Sequence, residues 1–470
     1  MNLRTQQLSL PLDDMAQAQT NGFNGTGMNT LAVEDRAFHS WYRFVLSFPP
    51  HLVRHYMGSF DLNPSCTVLD PFCGTGTTIV EARLNRVPSI GLEANPFPHF
   101  ASRIKATWEI DPEKLRSAAG EIAHTTRQLL LSQGIDDRVL VEDSSSIPAS
   151  LRQLNPDQEA LVISDSISPL PLHKTLLLRD QIAEFSSEPY YGHLVLALGD
   201  ALAYSIGNLR FGPEVGVGKK KPDAPVTQPW LARVEKMAAD IESLQSSEGY
   251  PSAELLLADA RDVNGILRSE SVDAVITSPP YPNEKDYTRT TRLESVLLGF
   301  YSDKQALRTH KQRLLRSNTR GVYKADTDDE WVKSYSRIQG IADQIEAKRI
   351  RLGKSSGFER LYSRVTRLYF GGMARHLAEL RPILRPGAQL AYVVGDQASY
   401  LQVMIRTGQL LAEIAQDLGY DVQDIELFRT RFATATGEEL REEVVVLKWP
   451  GKRGNPLKFP WEMPLQPHPL

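Results

Sequence analysis

The sequence predicts a doubly wound α/β fold: a mostly parallel sheet with helices on both faces, interrupted by a large insert. Three observations predict it. An apolar run ending in an acid, Thr67-Val-Leu-Asp70, opens into a glycine-bearing loop, Pro71-Phe-Cys-Gly-Thr-Gly-Thr-Thr78, and a helix-like stretch from Ile79 to Asn85. A second apolar run ending in an acid, Pro88-Ser-Ile-Gly-Leu-Glu93, follows directly. The same strand-then-acid pattern returns far downstream in Glu254-Leu-Leu-Leu-Ala-Asp259, and Val272-Asp-Ala-Val-Ile-Thr277 runs into Ser278-Pro-Pro-Tyr281.

The other elements extend this grammar. Residues 364–384 read as a helix, 389–395 as a strand and 410–418 as a helix. Two last strands, 422–428 and 443–449, are expected to pair as an antiparallel hairpin, with 429–440 as a long connection. The stretch from about 110 to 251 begins helical and is then broken by Pro169, Pro171, Pro189, Pro213, Pro222, Pro225 and Pro229. The stretch from 282 to about 360 reads as mainly helical. The expected organisation is a disordered tail over 1–30, rich in Gln, Asn, Gly and Thr, then a first catalytic part over 31–110. An insert over 111–250 follows, then a second catalytic part over 251–450 containing a basic helical insert at 282–360, and a tail over 451–470. The 111–250 insert has no place in the sheet and is the candidate for target-sequence recognition.

Composition sets limits. With 470 residues, 41% of them hydrophobic, the chain can bury a substantial core. A net charge of −4 excludes a uniformly basic nucleic-acid coat, so any polyanion site must be a local concentration of Lys and Arg. Two cysteines, Cys66 and Cys73, make neither a disulfide framework nor a zinc site, so no metal is expected. No membrane span or signal pattern is evident, and a reducing cytoplasm fits best.

The loop over 70–78 has a specific physical reading. Gly74 and Gly76 allow a tight turn and close approach of a ligand to the main chain, at the carboxyl end of a strand, where open α/β sheets bind ligands. It carries no Lys or Arg and no Gly-Lys-Ser/Thr, which argues against a triphosphate. Glu93 is placed to accept from ribose hydroxyls, and Asp259 from an adenine amino group. A cationic amino-acid tail suits Asp70. The ligand these describe is S-adenosylmethionine; the alternative is a purely structural strand-turn-helix.

Ser278-Pro279-Pro280-Tyr281 is the most informative string. Consecutive prolines hold the backbone extended and remove two N–H donors. The Ser278 hydroxyl and Pro279 carbonyl are suitable acceptors for the N–H groups of an aromatic amine, orienting its lone pair. Tyr281 can stack on a base that has left its helix. The alternative is a proline turn ending a strand.

Asp70-Pro-Phe-Cys-Gly-Thr-Gly-Thr-Thr78 resembles motif I of the amino-methylating DNA methyltransferases, and Thr277-Ser-Pro-Pro-Tyr281 resembles their catalytic motif IV. Glu93 and Asp259 stand where motifs II and III lie, and Ser47-Phe-Pro-Pro-His-Leu-Val53 is similar to motif X. The resemblance covers roughly 45–110 and 250–450. It implies a Rossmann-like S-adenosylmethionine-dependent methyltransferase sheet. It also implies a cofactor site at Phe48, Asp70, Pro71, Phe72, Gly74, Gly76, Thr77, Thr78, Glu93 and Asp259, and a catalytic segment of Ser278, Pro279, Pro280 and Tyr281. In that family Ser-Pro-Pro-Tyr is associated with cytosine N4 more than adenine N6, so N4 methylation in a specific sequence of double-stranded DNA is the leading expectation. A cognate restriction endonuclease is a candidate partner. The cofactor motif precedes the catalytic one, whereas the glycine-loop wording resembles members of the reverse order. Carbon-5 methylation would need a Pro-Cys dipeptide, and neither cysteine follows a proline.

Lys304, Arg308, Lys311, Arg313, Arg316, Arg320 and Lys324 form a basic run with no acid among them, read as phosphate contacts or as a solvated helix face. Asn283, Lys285, Asp286, Tyr287 and Arg289 line the base pocket or form a polar loop. The stretch 210–221 closes over DNA or is a flexible linker, with the linker favoured. His39, Trp41 and Tyr42 belong to the core rather than the cofactor. Rival readings are an RNA amino-group methyltransferase and a catalytically silent nucleic-acid-binding subunit.

Overall fold

The computed structural model describes residues 31–43, 47–140, 150–212, 214–244, 249–433 and 437–451. The tail readings for 1–30 and 452–470 lie outside them. The strands are β1 (Val68–Asp70), β2 (Ser89–Glu93), β3 (Leu209–Arg210), β4 (Gly216–Val217), β5 (Ala253–Leu257), β6 (Val272–Thr277), β7 (Leu384–Gly395), β8 (Asp421–Ala433) and β9 (Glu438–Lys448). The helices used below are α1 (Pro50–Ser59), α2 (Thr77–Leu84), α3 (Pro96–Lys105), α4 (Pro112–Ser132), α5 (Pro169–Ala183), α6 (Tyr191–Ala201), α7 (Thr227–Leu244), α8 (Lys304–Gln312), α9 (Ser336–Arg351), α10 (Tyr362–Leu380) and α11 (Thr407–Asp417).

Seven strands form one sheet in the order β5-β2-β1-β6-β7-β9-β8. β5, β2, β1, β6 and β7 pair in parallel, and β9 runs antiparallel to both neighbours. From β1 the chain adds strands on one side, through β2 and β5, then returns to place β6 on the other. The strand order therefore reverses between β1 and β6, and a doubly wound sheet opens a crevice at that point.

Both faces are covered, as the apolar runs predict. Side chains alternate across a strand. Val68, Ala274, Ile276, Ala391, Val393, Val444 and Val446 face α1, where Leu52, Val53, Tyr56 and Met57 are buried. Leu69, Val275, Leu390, Tyr392, Val394, Val445 and Leu447 face the opposite way, against α9, α10 and α11.

The described residues of 111–250 are more regular than the prolines suggest. Pro112 and Pro169 open α4 and α5, Pro171 lies in the first turn of α5, and Pro229 lies in the first turn of α7. The first helical turn has no use for those N–H groups, so these prolines start helices rather than break them. α4 to α7 bury a core of their own around Trp230 and Leu194, continuous with Phe38, Trp41 and Tyr42 and with Phe97 and Phe100 of α3. His39, Trp41 and Tyr42 are all buried, as expected.

Two other expectations change. The stretch 210–221 is not a linker: β3 and β4 pair within it, Lys220 bonds Asp165 at 2.7 Å, and Lys221 donates from Nζ to the Ser205 carbonyl at 2.7 Å. The final hairpin is longer than expected. Its ladder runs from Asp421↔Lys448 to Ala433↔Glu438, so most of 429–440 is strand. Because β9 is antiparallel to β7, residues 438–441 and their β8 partners stand beyond Gly395, on the carboxyl side of the parallel strands.

Candidate active site

The glycine loop is stitched to its surroundings on three sides. Glu93, ending β2, accepts from the Gly74 N–H at 3.0 Å and the Asn95 N–H at 2.7 Å. The Cys73 N–H donates to the Leu92 carbonyl at 3.0 Å. Asp70, ending β1, accepts through Oδ1 from the Phe72 N–H at 3.1 Å and the Thr277 hydroxyl at 2.6 Å. The Thr78 hydroxyl reaches the Ile276 carbonyl at 3.1 Å. The two segments singled out in the sequence, 70–78 and 277–281, are thus brought together at the crevice between β1 and β6.

Their electrostatics fit a cationic ligand. Asp70 is fully buried and its Oδ2 has no partner among the described residues. Burial pushes its carboxyl up to about 6, and burial likewise pushes Glu93 up to about 7. A buried acceptor without a donor is costly unless a ligand supplies one.

The two glycines differ. At Gly74, with φ +52°, an added Cβ would meet nothing within 4 Å, so this is where the backbone lies open to a ligand. At Gly76, with φ +86°, a Cβ would come 2.9 Å from the Ser102 Cβ of α3. Gly76 therefore serves loop closure against α3 rather than ligand approach. Gly76→Val combines a left-handed backbone costing about 1–2 kcal/mol with overpacking of about 1–3 kcal/mol. We expect a lowered melting temperature together with lost cofactor binding, checked by thermal unfolding and calorimetry; binding loss at unchanged stability would contradict this.

Beyond β6, the Ser278 hydroxyl donates to the Val393 carbonyl of β7 at 3.2 Å and lies within reach of the Tyr281 hydroxyl. Among the described residues nothing donates to the Pro279 carbonyl. The Tyr281 N–H donates to Tyr287 Oη at 3.3 Å, and the Tyr281 ring lies on Gly395, where a Cβ would sit 2.9 Å from Cε2. Phe72 meets the His376 ring edge-on at 4.9 Å, and Pro71, Thr77 and Thr78 are buried. Phe48 packs with the α1 face of the sheet.

Two expectations are corrected. Asp259 is not a free acceptor: Arg261 reaches it through its backbone N–H, Nε and Nη2 at 2.6–3.2 Å, occupying both carboxylate oxygens. The basic run is not uniformly available. Arg316 is buried against Asp326 at 2.8 Å, and Lys311 pairs with Asp286 at 2.8 Å. Lys304, Arg308, Arg313 and Arg320 remain exposed, with Arg308 over the Tyr323 ring and Arg320 over Phe358. The polar stretch after Tyr281 is clamped to this segment: Asn318 donates to the Lys285 carbonyl at 3.1 Å and Thr319 to Glu284 at 2.7 Å.

No family model matches the chain. A curated protein of Geobacillus stearothermophilus, Type II methyltransferase M.BsoBI, is 25% identical over 426 residues, spanning 86% of this chain and 82% of that protein. The chain is thus similar to a Type II methyltransferase along most of its length. M.AvaI of Nostoc sp., another Type II methyltransferase, is 30% identical over 167 residues, 34% of this chain and 33% of its own. TrmN from Thermus thermophilus, a solved structure, is 12% identical and covers 88% of this chain and 52% of that chain at a TM-score of 0.28, an overlay too loose to bear on fold or function.

The sequence reading of this candidate site missed two groups. Asp396 follows β7 directly, a further strand-end acid; it is buried, bonds Arg406 at 2.5 Å, and its Oδ1 has no partner among the described residues. That signal was present in Gly395-Asp396. Tyr369, in the middle of α10, is buried with its hydroxyl unpartnered and close to Tyr281 and Tyr287. Nothing in its local sequence separates it from a core tyrosine.

Proposed function

We propose that the chain is an S-adenosylmethionine-dependent DNA methyltransferase acting on an exocyclic base amine, with cytosine N4 as the leading target. The observation that carries this is the Thr277–Asp70 bond at 2.6 Å, which sets the Ser-Pro-Pro-Tyr segment beside the open glycine loop. Identity to Type II methyltransferases along most of the chain supports it.

The unpartnered Asp70 Oδ2 and the open main chain at Gly74 fit the cofactor's cationic tail, and Glu93 retains lone pairs for its ribose hydroxyls. The cofactor supplies an electrophilic methyl on sulfur. The Ser278 hydroxyl and Pro279 carbonyl accept the amine's N–H groups and turn its lone pair toward the glycine loop. Tyr281 holds the face of the extruded base. Exposed Lys304, Arg308, Arg313 and Arg320 contact phosphates, and the 111–250 insert and the β8–β9 hairpin flank the substrate. A cognate restriction endonuclease is the partner that the relatives' Type II names suggest.

Cofactor binding should depend on pH. A cation binds the ionised carboxylate of Asp70, so affinity should rise as pH climbs through about 6. One unit below the transition the loss should approach about tenfold. In the free protein the sign reverses. With the folded value raised above 3.8, Asp70's contribution is fully present below that value and is lost as pH rises through about 6. Thermal-shift titrations at pH 5.0 and 6.5 should therefore show the larger cofactor stabilisation at 6.5; equal shifts would remove Asp70 from the site.

The test of the function is incubation with tritiated S-adenosylmethionine and either duplex DNA or total RNA, followed by nucleoside analysis. N4-methylcytosine in DNA is expected. N6-methyladenine would keep the mechanism and change the target, while label confined to RNA would reject the reading.

A further inference from the structure

The segment 31–43 is pinned over the start of α2. His39 bonds Glu81 at 2.8 Å, and Arg54 of α1 bridges Glu81 at 3.1 Å and Asp35 at 2.8 Å. A narrow cleft runs between this segment, the start of α1 and the first residue of α2, lined by Arg43, Ser47, Phe48, Thr77 and Lys105. It thus joins Phe48 to the end of the glycine loop.

Lys105 is the anomaly in this cleft. It is 2% exposed, and its ammonium makes one long bond, to the Tyr42 carbonyl at 3.4 Å. Among the described residues it forms no ion pair; the acid whose field reaches it, Asp200, is committed to Arg233 at 2.5 Å. Arg43 adds a second cation to the same cleft. Burying an ammonium without an anion is costly, and buried charges are ordinarily paired. The other buried lysine follows that rule: Lys174 lies between Asp137 and Asp223, at 3.4 and 2.7 Å. Burial pushes Lys105 down to about 7, with Arg43 adding to the effect. Among the described residues no N-cap side chain covers the start of α2, and a helix start of this kind favours an anion.

We propose that Lys105 binds the α-carboxylate of the cofactor's amino-acid tail, with Arg43 and the start of α2 completing the anion site. This rests on the S-adenosylmethionine reading above. The tail then spans two poles: its carboxylate at Lys105 and its cationic groups toward Asp70 Oδ2. Lys105 is a cofactor-binding residue that recognises the tail and takes no part in methyl transfer.

The test is calorimetric binding of S-adenosylmethionine and of decarboxylated S-adenosylmethionine, which keeps the sulfonium and amine, to the full chain and to Lys105→Met. The wild type should prefer the carboxylated ligand by about ten- to a hundredfold, the range for hydrogen bonds to charged groups. Lys105→Met should reduce that preference to within about twofold while leaving the decarboxylated ligand's affinity unchanged, and Lys105→Arg should restore part of it. The melting temperature of ligand-free Lys105→Met should be unchanged or raised, because an unpaired buried charge has been removed. A preserved preference in Lys105→Met, or a lowered melting temperature, would overturn the proposal while leaving the methyltransferase reading intact. A wild type that binds neither ligand would overturn both.

Discussion

Tyr281→Ala is expected to lower kcat/KM on duplex DNA by about a hundredfold, while the dissociation constant for S-adenosylmethionine stays within about twofold. Base–aromatic stacking contributes about 1–3 kcal/mol per base, which spans about five- to 150-fold. The asymmetry between turnover and cofactor affinity follows from geometry. The bonds that hold the glycine loop and the strand end beside it are made by Asp70, Glu93 and Thr277, none of which depends on the Tyr281 side chain. That ring lies instead on Gly395, at the end of β7. Tyr281→Phe should keep most of the activity, because the ring face does the work. Equal loss in both variants would shift the role to the hydroxyl, and full activity in Tyr281→Ala would remove the stacking role.

Arg261→Ala is expected to give the largest loss of stability of any single change at the site. The guanidinium is 7% exposed, sits on Asp259 at 2.6 Å and reaches Asp328 at 2.5 Å, both carboxylates being largely buried. Removing it leaves two buried acids short of their partner; breaking such a pair costs about 3–5 kcal/mol. For a chain of this size that corresponds to a fall of roughly 3–5 °C in melting temperature. Arg261 also ties the end of β5 to the segment carrying the exposed basic residues, so DNA affinity should fall with it. Lys304→Ala, on the exposed face of α8, should leave the melting temperature unchanged and weaken DNA binding slightly. A melting temperature for Arg261→Ala within a degree of wild type would show that the cluster is solvated.

The central sheet was legible because parallel strands covered on both faces must be largely apolar, and 67–70, 88–93 and 272–277 carry short apolar runs with acids at or near their ends. The meeting of two strand ends at one crevice was legible because a glycine loop at one and a proline pair at another both belong there; the strand order was not. The insert was harder to read. Prolines at 112, 169 and 229 occupy first-turn positions, and sequence does not separate a proline that starts a helix from one that ends it. The β8–β9 hairpin was read short because Arg429 and Arg431 look like loop residues. In the fold they are strand residues bonded across to Glu442. Asp259 was misjudged for a related reason: strand-end position predicts an acceptor, but the arginine two residues on reaches back to it. The basic run shows the same limit, since Asp286 and Asp326, which neutralise Lys311 and Arg316, lie outside it in sequence. Charge runs are legible in sequence, whereas their pairing is a property of the fold.

Hydrogen–deuterium exchange gives the most direct measurement of whether one cleft serves both donor and base. S-adenosylhomocysteine added alone should protect the amides of 72–78 and 93–95, and duplex DNA added to that complex should extend protection to 281–289 while deepening it at the glycine loop. Protection of the two segments by separate ligands with no mutual effect, or of neither, would contradict a shared cleft.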